Sequence, residues 1–196
     1  MTARLAAIFA GVALVSPLSP AAAQQIESSF TDLDLNLCTV MHSDDFGSTW
    51  ACPGLKGMPV MVKEVDRRMY LSFGLDSTKE QAAEQSIPSH NELGPGIEWR
   101  VSNAEGYFKP FAAIVPLLAE PESGETQQQV AVVIKIAAGA TCHVAYVDAL
   151  ANADAPELAR KAADELAPTF DCATGKVTYP GTFKAWTLEA NGSAGD

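Results

Sequence analysis

Asp32, Asp34 and Asn36 stand at alternate positions in TDLDLNLC, residues 31–38, and oxygen ligands so spaced are how a calcium loop of the EF-hand kind begins. Such a loop also needs a glycine at its sixth position for the sharp turn and a bidentate glutamate at its twelfth. Those positions hold Leu37 and Ser43. The leucines between the acids would be stranded in a loop, whereas in a strand they have a core to enter, so the period of two from Phe30 to Val40 predicts a half-buried strand. Just beyond it, His42 with Asp44 and Asp45 offers imidazole and carboxylate, reasonable ligands for zinc or a similar ion. The same residues lie among Ser43, Gly47 and Ser48, where polar residues serve a loop without any metal.

Cys142-His143 is a second place to look for chemistry. Haem attachment wants Cys-x-x-Cys-His, and a nucleophilic thiol would have to escape oxidation and leave an odd cysteine behind. The four cysteines are an even set, and in an exported chain they imply two disulfides with three possible connectivities. Cys38–Cys52 and Cys142–Cys172 are favoured because each closes a local segment with loop-forming residues inside it. Strand alternation puts His143 opposite Cys142 and Val144, on the face away from the main core, where exposure would let it serve a binding site. Trp50, Arg67 and Arg68 belong to the residue types that dominate interface hot spots, although Lys63 to Arg68 also reads as a charged hairpin tip. The chain contains no H-E-x-x-H, G-x-S-x-G, S-x-x-K, G-x-G-x-x-G or P-loop pattern. No catalytic residue and no cofactor are therefore assigned.

The elements that must position these residues begin after residue 23. MTARLAAIFAGVALVSPLSPAAA has one arginine, an apolar run from Leu5 to Val15 and a small-residue end, the pattern of a secretory signal peptide cut near Ala23. That run is about half of what a membrane-spanning helix needs, and no later segment approaches such a length. The expected organisation is a signal peptide over 1–23, one domain over 24–190 and a frayed tail over 191–196. Formal net charge is −11. An acidic chain repels phosphate backbones, which argues against nucleic acid and leaves a cationic protein as the partner charge favours.

Within the domain, HSDDFGSTW reads as a loop, and PVMVKEVDRRMYLSFG as two strands joined at Glu64 to Arg68. Ser77 and Glu80 make a capping box for a short helix that Pro88 stops. IEWRVS is a short strand, and Tyr107 to Leu118, holding Pro110 and Pro116, is an edge strand or an irregular buried segment. VAVVIKIA and TCHVAYVDA, rich in β-branched residues, read as central antiparallel strands. Asp154 caps a helix from Pro156 to Leu166 with a stripe of Leu158, Ala162 and Leu166, and Thr178 to Leu188 can add a last strand. The order predicts an α+β domain: a mainly antiparallel sheet with a short helix and a C-terminal helix on one face, stabilised by disulfides.

TDLDLNLCTV, WACPGLKGMPV, LGPGIEWR and CHVAYVDALANADAPELAR together resemble a group of small secreted proteins of Gram-negative bacteria that carries no assigned activity. The resemblance implies a periplasmic chain with these boundaries and transfers no catalytic residue. In general character the chain is also similar to periplasmic lysozyme inhibitors, without their inhibitory loop motif. The expectation is an exported, non-enzymatic binding or interaction protein engaging a cationic protein. Its rivals are a hydrolase or metal-dependent enzyme sited at His143 or at His42, Asp44 and Asp45, and a structural component of the envelope.

Overall fold

The computed structural model describes residues 25–120 and 126–184, so the signal-peptide region and the tail expected from the sequence lie outside the described residues. In chain order the strands are β1 (Ile26–Asp32), β2 (Thr39–Asp44), β3 (Gly47–Pro53), β4 (Pro59–Val65), β5 (Arg68–Phe73), β6 (Asn91–Leu93), β7 (Gly96–Ser102), β8 (Lys109–Ala119), β9 (Gln128–Lys135) and β10 (Cys142–Asp148). One α-helix follows, α1 (Ala155–Leu166). Strands β2-β3-β4-β5 form a four-stranded sheet, and β1-β7-β8-β9-β10 with β6 beside β8 form a six-stranded one; the pairings within both are antiparallel. An α+β fold in which sheet dominates is the result.

Two apolar clusters hold these layers together. Val60, Val62 and Phe73 of the smaller sheet meet Trp99, Val115, Val132 and Ile134 of the larger one. Trp99 is fully buried at its centre, edge-on to Phe73 with ring centroids 5.3 Å apart, and its indole N–H donates to Thr31 Oγ1 at 2.8 Å. A buried indole needs such an acceptor. The second cluster joins Ala155, Ala159, Ala162 and Ala163 of α1 to Ala112, Ile114, Val133 and Val147. Alanines let the helix approach the sheet closely. The buried stripe is therefore rotated from the expected one: Leu158 and Leu166 are only half-buried, and the Asp154 side chain makes no capping hydrogen bond. Polar anchors add to it, for Arg100 on β7 donates twice to Asp164 on α1, at 2.8 and 2.6 Å, and Arg160 donates to Glu98 at 2.6 Å.

Several segments depart from the sequence expectations. β1 ends at Asp32, where its pairing with β7 runs out at Gly96, and TDLDLNLC does not continue as a strand. The Asp34 carboxylate accepts from the Asn36 N–H at 2.9 Å and opens a 3-10 turn over Leu35–Leu37. A short acidic side chain that bonds its own backbone competes with the ladder. Leu33 is buried, but Leu37 is 75% exposed.

HSDDFGSTW, expected as a loop, is most of the β2–β3 hairpin. The short helix of residues 77–85 is instead two 3-10 turns, Ser77–Lys79 and Gln81–Glu84. Glu80 does not cap Ser77; its two carboxylate oxygens accept from the Gly139 and Thr141 N–H groups of the β9–β10 turn, at 2.8 and 3.1 Å.

β8 is a central strand despite its prolines. Pro110 sits where the β7–β8 register shifts, and Pro116 faces the gap between β6 and β7, its carbonyl accepting from Gly94 N–H at 2.8 Å. A missing N–H is tolerated where no ladder partner awaits it. β10 in turn ends its sheet rather than filling the middle. Its outer edge is covered at Thr178, which exchanges bonds with Tyr146 N–H and the Val144 carbonyl at 2.9 and 3.0 Å. This single bridge is what the described residues hold of the expected last strand, whose continuation from residue 185 lies outside them.

Both disulfides are local, Cys38–Cys52 and Cys142–Cys172, the pairings favoured from the sequence. They fit an oxidising compartment. Among the described residues no helix is long and apolar enough to cross a membrane.

Candidate functional site

The β2–β3 hairpin forms an arm at the edge of the smaller sheet, with β3 paired to β4 along its whole length and β2 outermost. Its base is fastened by Cys38–Cys52, and its tip is closed by the Asp44 carboxylate, which accepts from Phe46 and Gly47 N–H groups at 2.8 and 3.1 Å. Glycine is required at the turn exit, since a Cβ on Gly47 would lie 2.0 Å from the Glu64 carbonyl oxygen of β4. All six residues of β2 are exposed, and its outer edge carries no partner strand among the described residues. Val40 and Met41 of β2 are therefore exposed, and Phe46, 84% exposed, stands in solvent at the tip with Asp44 and Asp45.

His42 belongs to this arm. Its Nε2 lies 3.0 Å from Asp44 Oδ2, and that contact, with the turn N–H groups, holds the Asp44 carboxyl below its usual range. Both Asp44 oxygens are thus engaged. Among the described residues no group of three His, Cys, Asp or Glu side chains converges as a metal site would require, and this includes His42, Asp44 and Asp45. The three residues line one hairpin tip without forming a ligand cage.

His143 lacks the exposure that would let it serve a binding site. It is 2% exposed, its Nδ1 lies 2.8 Å from the Tyr146 hydroxyl, and its backbone N–H donates to Gln85 Oε1 at 2.8 Å. A bulge between His143 and Ala145 breaks the simple alternation from which its outward direction was read. Burial pulls the imidazole down to about 3 and pushes the Tyr146 hydroxyl up, so both rings are neutral at ordinary pH.

Trp50, Arg67 and Arg68 do not gather into one patch. Trp50 is half-buried on β3 between Val40 and Val62 and packs on the core between the sheets. Arg67 occupies the β4–β5 turn and pairs with Glu120 at 2.6 Å, while Arg68 pairs with Asp66 at 3.2 Å. Asp66 and Arg67 both have positive φ, 51° and 55°, which makes this a type I′ turn without the usual Asn-Gly or Asp-Gly pair.

A groove that sequence reasoning missed runs across one end of the molecule. Its deeper part, about 640 Å³, lies between the Phe73–Asp76 turn, the start of β8, the end of β9 and the residues after α1. A second hollow of about 550 Å³ continues it between Leu55–Pro59 and Tyr107–Pro110; the two share Met58, Gly74, Leu75, Lys109 and Pro110. Residues from so many separated turns carry no local signal.

The chain matches no protein-family model, no curated protein and no solved structure.

Proposed function

We propose that this is an exported, non-enzymatic interaction protein, acting in the periplasm after cleavage near Ala23, whose β2–β3 arm engages a cationic protein. One observation carries the reading: a disulfide-fastened hairpin that presents exposed Val40 and Met41 on an unpaired edge strand and exposed Phe46, with Asp44 and Asp45, at its tip. An unpaired edge offers main-chain hydrogen bonds to an extended segment, and apolar side chains beside it offer pockets or plugs. The chain's net charge of −11 adds long-range attraction for a basic surface and repels a second copy. Fastening the base lowers the ordering that binding would otherwise demand.

The enzymatic rivals gain no comparable support. His143 is buried and hydrogen-bonded to a neutral tyrosine, and His42 is exposed on a hairpin with both Asp44 oxygens already occupied. A general base needs access to the proton it abstracts.

A cationic lysozyme is a suitable probe. Binding and inhibition are measured at low and moderate salt with the native chain and with a Phe46→Ser, Asp44→Asn, Asp45→Asn variant. Salt-sensitive binding that the variant loses is the expected result; the absence of any salt-sensitive association, for lysozyme and for basic proteins of a periplasmic extract alike, counts against the proposal.

A further inference from the structure

Independently of the arm, we infer that the groove across the end of the sheets is a binding site for a small amphipathic anion: an alkyl or aromatic body bearing a carboxylate, sulfonate or phosphate.

Its shape and wall chemistry set the apolar half of the ligand. A hollow of about 640 Å³ falls within the range of about 300–1,000 Å³ typical of small-molecule sites, which are mostly apolar with a few placed polar groups. Phe73, Pro110, Phe111 and Ile136 line it, Leu75 borders both it and the second hollow, and Tyr107 borders the second. Leu75 is 95% exposed and Tyr107 is also exposed, so the walls continue outward as an apolar lip. Single exposed leucines are ordinary, but one that borders both hollows of a continuous groove is placed to cover a ligand.

The charged half follows from what each lining ion touches. The acids are engaged: Glu80 accepts from Gly139 and Thr141 N–H groups, Asp76 holds Lys79 at 3.0 Å, and Glu105 holds Lys109 at 3.2 Å and the Tyr107 hydroxyl at 3.1 Å. Two lysines of the groove are placed differently. Lys135 Nζ donates to the Phe170 carbonyl at 2.7 Å, and Lys56 Nζ reaches the Phe108 carbonyl at 3.5 Å. Lys135 lines the deeper hollow and Lys56 the second one; each ammonium donates to a carbonyl, and the charge of Lys135 also acts on the Asp171 carboxylate next to Phe170. An anionic head entering here exchanges a carbonyl for a full charge partner, a stronger bond than the one it replaces. Among the described lining residues each acid already accepts from a donor.

Isothermal titration of the full exported chain with dodecanoate, dodecyltrimethylammonium and acetate tests this. Dodecanoate is expected to bind at one site, the cation at least about tenfold more weakly, and acetate, which lacks the apolar body, not measurably. Without its charged hydrogen-bond donors, the Lys56→Gln, Lys135→Gln double variant should lose about tenfold or more in affinity. Leu75→Asp should abolish binding with an unchanged unfolding midpoint, because Leu75 packs on no core. Equal affinity for cation and anion, undiminished binding in the lysine variant, or no saturable binding of dodecanoate overturns the proposal. Should Leu75→Asp fail to fold, the lysine variant decides alone. Loss of dodecanoate binding leaves the arm's association with a basic protein untouched, so the two proposals fail separately.

Discussion

Acidification from pH 7 to pH 5 should cost the folded chain about 2 kcal/mol through His143 alone. The imidazole is held at about 3 in the native fold by burial, against an ordinary value of 6.5. Below pH 6.5 the unfolded chain takes up a proton that the native chain refuses. Its contribution to stability is therefore complete above pH 6.5 and is lost as pH falls from there toward 3. At 1.36 kcal/mol per pH unit, the interval from 6.5 to 5 amounts to about 2 kcal/mol. Carboxylates such as Asp44, Glu105 and Glu120, lowered by their hydrogen bonds to His42, Lys109 and Arg67, lose their pairings only at more acid pH. Urea unfolding followed by the fluorescence of the buried Trp99 measures the loss, with His143→Gln as comparison, since glutamine retains a hydrogen-bonding group for Tyr146. The native chain should lose about 2 kcal/mol more than the variant over that interval. Equal losses would mean that His143 protonates in the folded state, which returns it to consideration as an accessible, functional imidazole.

Asp164→Ala should destabilise by about 2–4 kcal/mol, because the nearly buried Arg100 guanidinium keeps its charge while losing two hydrogen bonds; a urea midpoint that barely moves would place the Arg100–Asp164 pair among the energetically silent ones. Arg67→Gly should stabilise by about 1 kcal/mol, since glycine adopts the left-handed conformation at 55° without penalty and the exposed pair with Glu120 is worth little. Thermal unfolding reads it directly, and a lowered midpoint would show that the pair outweighs the turn.

The parts of the fold legible in the sequence are those where one physical rule acted alone. VAVVIKIA and TCHVAYVDA paired as antiparallel strands because β-branched runs on both sides of Ala-Gly-Ala leave little else to form. The β4–β5 hairpin was equally plain from its alternating core residues. Failures came where local and tertiary demands competed. Ser77 and Glu80 have the spacing of a capping box, yet Glu80 serves the distant β9–β10 turn. Pro110 and Pro116 argued for an edge strand or an irregular buried segment, but Pro110 falls beside a register shift and Pro116 in the gap between β6 and β7. HSDDFGSTW reads as a loop from its Ser, Asp and Gly residues, yet most of it is paired in the β2–β3 hairpin, held by the Asp44 turn and the disulfide below it. His42, Asp44 and Asp45 offer imidazole and carboxylate but lie among turn-forming residues, and the geometry they take is that of a turn. The groove, assembled from five or more separated segments, was invisible for want of any contiguous pattern.

Hydrogen exchange of the native chain with and without a cationic lysozyme at low salt tests the central claim most directly. The account predicts slowed exchange confined to Thr39–Pro53, strongest in β2, whose outer edge has no partner strand among the described residues, and released again as salt rises. Protection elsewhere on the molecule, or protection of the arm that moderate salt leaves intact, would contradict it.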